Sequence, residues 1–400
     1  MKYIIVLGDG MADEPMEELS GKTPLEYART PILDDLAGRS QIGLARTIPE
    51  GMQPGSDTAN LSVLGYNPRE YYTGRSPLEA LSIGVDMKPE DIALRTNLIT
   101  LSEDKEAYED KIILDHSSDE ISTEDAAILL EAVRRELEED SYHFYVGTSY
   151  RHLLIWSGGK VAELTPPHDV LGKRAGDYLP GDEKLRAMQK KSYEILSRHP
   201  INQKRKAAGL HPANSCWFWG AGTRPSLSSF EETYHKRGAM ISAVDLLKGI
   251  AVGTGMTNIQ VEGANGGLHT NYEGKAQAAV NALLKDGFDF VYVHVEAPDE
   301  MGHQGSAKKK VQSIEYLDQR VIGIIWKALK ESGEAYRLLV LPDHPTPVHV
   351  RTHTSDPIPY LLYDSEKELR RIGAYNEREA RESGILVEHG YELIGRLFEG

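Results

Sequence analysis

Three short apolar segments, each followed within a few positions by Asp or His, constrain the fold of this chain more than any other feature. They are residues 3–7, 288–295 and 338–341, and each has the length and composition of a buried β-strand. Because the carboxyl ends of parallel strands meet at one edge of a sheet, we expect the side chains that follow them to converge. These side chains are Asp9, Asp299, His303, Asp343, His344 and His353. The pattern predicts an α/β protein with a mainly parallel sheet flanked by helices.

Asp and His residues grouped at a sheet edge are typical metal ligands. Zn²⁺ and Mn²⁺ both accept this mixture of oxygen and nitrogen donors. Asp299 and His303 are four residues apart, so their side chains share one face if the segment is helical. Six such ligands are too many for one ion with an open coordination position, and they suit a two-ion site for phosphoryl transfer. Each residue alone is also compatible with a solvated polar loop; their joint placement favours the metal site.

The segment 51–64, GMQPGSDTANLSVL, is predicted to lead from a Gly/Pro loop into a helix. Ser56 or Asp57 occupies the position of an N-cap residue. Two interpretations of Ser56 follow. It caps the helix, or it is a nucleophile whose phosphoryl group would lie at a helix N-terminus, where free N–H groups and the helix dipole favour an anion.

Length and charge narrow the class of protein. A chain of 400 residues predicts two domains, and a formal net charge of −16 argues against nucleic acid or an anionic membrane as partner. A small phosphorylated substrate remains compatible with local basic residues. Cys216 is the only cysteine, which excludes an intrachain disulfide and favours a reducing compartment. With no signal peptide or membrane helix recognisable, we expect a cytoplasmic protein; the oligomeric state is left open.

The pattern of predicted strands and helices changes at about Ala93. Short strand patterns, an amphipathic helix over 123–138 and a polar stretch over 169–206 indicate a separate α+β module. Residues 198–211 are interpreted as the linker that returns to the first domain. Just before the module, Arg75 lies in a Gly/Ser/Pro turn, where it either binds a phosphate or carboxylate or is simply exposed.

Six motifs together resemble one enzyme family. They are VLGDGMAD, PGSDTANLSVLGY, YYTGRSPLEALSIG, NSCWFWGAGTRP, PDEMGH and PDHPTPV…RTHTSDPIPY, and they extend from one end of the chain to the other. In sequence and order they are similar to the cofactor-independent phosphoglycerate mutases, specifically the archaeal-type branch within the alkaline phosphatase superfamily.

The resemblance implies a metal-binding, alkaline-phosphatase-like core at 1–91 and 211–400, with a smaller α+β substrate-binding lid inserted at 92–210. It implies two divalent ions, in the first place Mn²⁺ with Zn²⁺, Co²⁺ or Mg²⁺ as alternatives, and no requirement for 2,3-bisphosphoglycerate. Ser56 would be the phosphorylated nucleophile. One ion would be held by Asp9, Ser56, Asp343 and His344, and the other by Asp299, His303 and His353.

The implied reaction is the interconversion of 3- and 2-phosphoglycerate through a phosphoserine, with Arg75, Arg151, His168 and Asp169 as candidate glycerate-binding residues. The first alternative keeps the metal site but changes the substrate, as in a phosphatase, a phosphopentomutase or an enzyme of the proposed homoserine kinase type. The second is a non-catalytic protein stabilised by metal, which would make Ser56 dispensable.

Overall fold

The computed structural model of this chain describes residues 1–370 and 373–399. It divides into two compact units, which are described separately below. The first contains Met1–Tyr72 and Ser226–Gly400, and the second contains Thr73–Pro225. Within the described part of the chain, no helix combines the length and the apolar character that crossing a membrane requires.

The first unit is built on an eight-stranded, mainly parallel sheet. Its central strands are the three predicted from the sequence: Lys2–Gly8 pairs in parallel with Phe290–Val295 on one side and with Tyr336–Leu341 on the other. The predicted fold class is therefore confirmed. The strands in sheet order are Leu386–Val387, Gln41–Ala45, Ile358–Asp364, Tyr336–Leu341, Lys2–Gly8, Phe290–Val295, Gly238–Ile241 and Thr257–Asn258, of which Ile358–Asp364 runs antiparallel to its neighbours.

Helices pack against this sheet because its central strands are buried on both faces and carry almost only apolar side chains. Helices Ala307–Leu317 and Gly323–Ser332 are joined by a π-helical turn at Asp318–Ile322. Asp318 is buried in this turn and accepts a hydrogen bond of 2.7 Å from Leu33 N. The helices are Pro24–Tyr27, Pro31–Ala37, Ser56–Val63, Pro68–Tyr71, Phe230–Tyr234, Asp245–Gly253, Tyr272–Leu284, Ala297–His303, Ala307–Leu317, Gly323–Ser332, Glu377–Glu382 and Leu393–Glu399.

The second unit is an antiparallel five-stranded sheet with helices. Its central strand, Asp91–Leu101, is buried at every position and pairs with both Arg151–Ser157 and Ser215–Thr223. The other strands are Ile113–Asp115 and Tyr142–Thr148, and the helices are Arg75–Ser82, Thr123–Leu137, Glu183–Leu196 and Pro200–Ala207. The lone thiol, Cys216, is buried in this core, and burial raises its pKa to about 12, as expected of a packing residue rather than a nucleophile.

The second unit is wider than the insert expected at 92–210. Strand Ser215–Thr223 and helix Arg75–Ser82 belong to it because both pack on the central strand. Gly74 and Gly222 approach so closely that a Cβ on Gly74, whose φ is +126°, would lie 2.8 Å from Gly222 Cα. The interpretation of 198–211 as a linker was wrong: Pro200–Ala207 is a helix, anchored by the buried side chains of Asn202 and Arg205.

Glu377 of the first unit is a buried carboxyl group whose protonation should make stability depend on pH. Its carboxylate accepts hydrogen bonds from Asp13 N (3.0 Å) and Thr23 Oγ1 (2.7 Å), yet burial raises its pKa from 4.5 to about 7. The folded state thus favours the protonated acid. The protonated Glu377 side chain therefore contributes to the free energy of unfolding in full below pH 4.5, and this contribution is lost as the pH rises through 7. We expect Glu377→Gln to remove that loss, raising the free energy of unfolding above pH 7 by on the order of 3 kcal/mol relative to wild type.

Urea unfolding of both proteins at pH 5 and pH 8 measures this effect. Glu382→Gln, on the exposed end of the same helix, is the control and should follow the wild type at both pH values. An identical pH dependence in Glu377→Gln and wild type would contradict the prediction.

Candidate active site

Asp343 follows the central strand Tyr336–Leu341 and is held from three directions. Its Oδ1 accepts hydrogen bonds from Gly10 N (3.1 Å) and His344 N (2.9 Å), and its Oδ2 accepts one from Asn60 Nδ2 (2.9 Å). Gly10 has a φ of +58°, and a Cβ there would lie 2.4 Å from Thr346 Oγ1. Only glycine therefore allows the first strand to end this close to the Asp343 loop.

His344 lies at the centre of the cluster and is completely buried. Its Nε2 lies 3.4 Å from Asp343 Oδ2, 3.6 Å from Asp9 Oδ1 and 3.1 Å from Ser56 Oγ. Two strands and one helix thus bring four polar side chains to a common point at the carboxyl edge of the sheet. These four are the set that the family resemblance implies for one ion.

Asp299, His303 and His353 form the neighbouring group. Helix Ala297–His303 places Asp299 Oδ2 3.2 Å from His303 Nε2, as the four-residue spacing predicts. His353 Nε2 lies 3.5 Å from Asp299 Oδ1 and 3.1 Å from His303 Nε2. The ring of His353 also packs on that of His344 with centroids 4.0 Å apart, so the two groups are contiguous.

The donor set suits divalent cations. Burial and the nearby charges of Asp343 and Asp299 raise the pKa of Asp9, which means that the carboxylate form lacks sufficient positive charge around it. Asp9 Oδ1 is buried with no hydrogen-bond partner among the described residues. Buried carboxylates and imidazoles that face one another with unpartnered acceptor atoms are expected of a metal site.

Ser56 is the first residue of helix Ser56–Val63, and Gly55, in an extended conformation, is the N-cap. The Ser56 side chain makes no capping hydrogen bond, so the capping interpretation is wrong. Its Oγ instead contacts His344 Nε2. A group attached to this oxygen would lie at the N-terminus of the helix, where the backbone N–H groups lack helical partners.

Two residues of this edge were missed by sequence reasoning. Asn60 bridges Asp343 and Tyr292, whose hydroxyl donates to Asn60 Oδ1 at 2.5 Å. The sequence feature that points to Asn60 is its position four residues after Ser56, on the same face of the helix. His294 lies 3.0 Å from Asp9 Oδ2 and is completely buried. The sequence feature that points to His294 is a single imidazole within the otherwise apolar strand FVYVHV.

The second unit contains a separate group of basic side chains. Arg75 Nε and Arg95 Nη1 both contact Glu79 Oε1, at 3.1 and 3.2 Å. Arg95 was not singled out from the sequence; it is buried, which lowers its pKa to about 10, and its guanidinium lies over the ring of Trp219. Burial disfavours ionisation of Glu79, but the charges of Arg95 and Arg75 outweigh it and hold the pKa of Glu79 below its usual value.

Three of the four residues proposed for glycerate binding lie around this group. Arg75 is part of it, and the ring of His168 packs edge-on against Trp219 at 5.3 Å. Arg151 lies within electrostatic range of Glu79, and its Nε has no hydrogen-bond partner among the residues that the structure describes. Asp169 is exposed, and one of its carboxylate oxygens lies 3.6 Å from His168 Nε2. Their role in substrate binding stays a prediction.

Comparisons with known proteins point to one family. The profile of the 2,3-bisphosphoglycerate-independent phosphoglycerate mutases matches residues 37–202. A Geobacter sulfurreducens protein named as a probable enzyme of this kind is 47% identical over 404 residues and covers 100% of both chains. A Methanosarcina barkeri protein with the same enzyme name is also 47% identical, covering 99% of both chains. The chain belongs to this family.

Solved structures agree with the assignment to the family of 2,3-bisphosphoglycerate-independent phosphoglycerate mutases. A Pyrococcus horikoshii protein is 31% identical with a TM-score of 0.80, covering 100% of this chain and 96% of that one. The cofactor-independent phosphoglycerate mutase of Thermoplasma acidophilum is 26% identical with a TM-score of 0.63, covering 100% and 99%. The resemblance drawn from the six sequence motifs is thereby confirmed.

Proposed function

We propose that this chain interconverts 3-phosphoglycerate and 2-phosphoglycerate, without 2,3-bisphosphoglycerate, by passing the phosphoryl group through Ser56. The observation that carries the proposal is the position of Ser56 Oγ, at a helix N-terminus and 3.1 Å from His344 Nε2 inside a cluster of Asp and His side chains. The names of the family's relatives support the choice of substrate.

In the first step the Ser56 hydroxyl gives up its proton, and Oγ forms a bond to phosphorus while the bond between phosphorus and the substrate's C3 oxygen breaks. The leaving oxygen takes up a proton and becomes the C3 hydroxyl of glycerate. In the second step the C2 hydroxyl loses its proton and its oxygen attacks the phosphoserine. The bond between phosphorus and Ser56 Oγ breaks, and Oγ takes up a proton and becomes the serine hydroxyl again. The helix N-terminus stabilises negative charge on the phosphoryl oxygens throughout. The site must exclude water between the two steps, since hydrolysis of the phosphoserine would make the enzyme a phosphatase.

Two divalent ions fit the cluster, and we propose Mn²⁺ as the preferred metal. When bound, such ions supply positive charge that favours the ionised form of a nucleophilic hydroxyl and offsets the charge of the phosphoryl group. Asp9, Ser56, Asp343 and His344 would hold one ion. Asp299, His303 and His353 would hold the other. We also propose that the protein is cytoplasmic.

The unit Thr73–Pro225 is proposed to bind the glycerate and to act as the lid. Arg75, Arg151 and His168, with Arg95 added from the structure, are the groups that would hold the substrate's carboxylate and orient it. Arginine is suited to this task because its planar donors pair with both carboxylate oxygens. Asp169, which is exposed, would contribute through its contact with His168.

Arg151→Ala tests the substrate-binding role. We expect kcat/KM for 3-phosphoglycerate to fall about 100-fold, because a charged hydrogen-bond partner of the substrate is lost. Slow hydrolysis of p-nitrophenyl phosphate should be unchanged, since phosphoryl chemistry is assigned to the other unit. Arg135→Ala, an exposed arginine paired with Glu131, is the control and should alter neither rate. Equal losses on both substrates would assign Arg151 to folding instead.

The proposed function is tested with the purified protein, Mn²⁺ and 3-phosphoglycerate, coupled to enolase and without 2,3-bisphosphoglycerate. We expect steady formation of phosphoenolpyruvate. Because enolase itself depends on a divalent ion, the metal requirement is measured by ³¹P NMR without enolase, where a chelator should stop the formation of 2-phosphoglycerate. Hydrolysis to glycerate and phosphate, with no 2-phosphoglycerate formed, would overturn the proposal in favour of a phosphatase.

A further inference from the structure

A buried series of charged groups extends from Asp9 into the interior of the first unit. It begins at His294, which is on the central strand Phe290–Val295. The imidazole of His294 lies between two carboxylates. His294 Nε2 is 3.0 Å from Asp9 Oδ2, and Nδ1 is 3.2 Å from Glu296 Oε1. Nε2 is close enough for an ion pair with Asp9, although it is not aligned for a hydrogen bond. His294 therefore connects a candidate metal ligand to a second carboxylate that is not one.

Glu296 is itself fixed by neighbours on a helix and on a loop. Its Oε2 lies 2.5 Å from Lys275 Nζ, and its Oε1 accepts hydrogen bonds from Ala243 N (2.8 Å) and Ser242 Oγ (3.2 Å). Lys275 is fully buried and also donates to His294 O at 2.8 Å. A buried carboxylate with this many partners has one position, and it fixes the orientation of the imidazole that contacts it.

The contact determines which oxygen of Asp9 is available to the cluster. With Oδ2 facing His294, Oδ1 is the atom that faces His344 Nε2, at 3.6 Å. Oδ1 is also the buried atom that has no hydrogen-bond partner in the described part of the structure. The carboxylate is thus oriented from behind, as partners in the outer shell of a metal site orient its ligands.

We propose that His294, held by Glu296 and Lys275, is a positioning residue that presents Asp9 Oδ1 to the divalent ion on the nucleophile side. Its effect on turnover rests on the proposed function, but its effect on ion affinity does not. Removing a partner in the outer shell of a ligand typically weakens metal binding roughly 10–100-fold.

The test uses full-length protein with His303→Ala, which removes a candidate ligand of the other ion, so that Mn²⁺ competition with a chelator reports the nucleophile-side ion. In this background His294→Leu should weaken Mn²⁺ binding roughly 10–100-fold. His294→Gln, whose amide nitrogen keeps a donor near the position of Nε2, should retain most of the affinity. His152→Leu, the same change at a buried histidine of the other unit, is the control and should bind Mn²⁺ as the parent does.

An unchanged affinity in His294→Leu would overturn the inference. So would equal losses in the Leu and Gln variants, which would make the imidazole itself a ligand or a support of the fold. If His294→Leu does not fold, Glu296→Gln is used in its place. We then expect weaker Mn²⁺ binding and an unchanged melting temperature of the metal-free protein. Unchanged Mn²⁺ binding in Glu296→Gln would overturn the proposal. If the wild type has no mutase activity but Mn²⁺ still binds more weakly to His294→Leu than to His294→Gln, the proposed function is rejected and the role of His294 is not.

Discussion

Replacing Ser56 with Ala should abolish mutase turnover while leaving the fold and both metal groups in place. The alanine removes the only atom assigned as phosphoryl carrier, and no capping hydrogen bond is lost with it because Gly55 is the N-cap. We expect kcat to fall by roughly 10⁴-fold or more, as for removal of other enzymatic nucleophiles. The measurement is the enolase-coupled assay, together with circular dichroism and elemental analysis of the same preparation.

Ser62→Ala is a matched control for this experiment. Ser62 is on the same helix and is buried, at 1% exposure, whereas Ser56 is half-buried. The Oγ of Ser62 has no hydrogen-bond partner among the described residues. The same chemical change there should leave turnover near the wild-type value. More than a trace of mutase activity in Ser56→Ala would refute the phosphoserine route and would favour a direct transfer or a different function.

Asp343→Asn should remove the ion on the nucleophile side, and with it the activity. The substitution deletes a negative charge at the centre of the cluster. It also places an amide NH₂ against Asn60 Nδ2 or against the N–H groups of Gly10 and His344, all of which donate to Asp343. Two donors cannot pair, so the side chain is no longer held in position. We expect Mn²⁺ affinity at this position to fall by more than roughly 100-fold.

Asp364→Asn separates this effect from a general loss of stability. Asp364 is a partly buried carboxylate paired with Arg337 at 2.8 Å, and the strand pairing puts that pair at the edge of the sheet opposite the cluster. Elemental analysis should give two ions per chain in Asp364→Asn and one in Asp343→Asn. Two ions in both variants would remove Asp343 from the ligand set.

The sequence by itself determined the central strands and the residues that follow them. Strands 3–7, 288–295 and 338–341 were predictable because an apolar run too short for a helix and ended by polar residues has few other structures available. Parallel pairing then places all their carboxyl ends together, so the convergence of Asp9, Asp299 and Asp343 needed no coordinates. The helical pair Asp299 and His303 followed from spacing alone.

Only the tertiary structure decided the contacts between residues that are distant in sequence and unmarked by local pattern. Whether Ser56 caps its helix or faces His344 depends on the conformation of Gly55 and on a partner 288 positions away. The limits of the second unit depend on the pairing of Asp91–Leu101 with Ser215–Thr223, across more than a hundred residues.

The network behind Asp9 is the clearest example of this limit. His294, Glu296 and Lys275 are ordinary residues of a strand, a loop and a helix until the packing of the sheet places them in contact. A buried charge is stable only with partners, and sequence periodicity predicts which side chains are buried but not which of them become partners. The local pattern therefore predicted the candidate ligands, and the fold determined which side chains contact them.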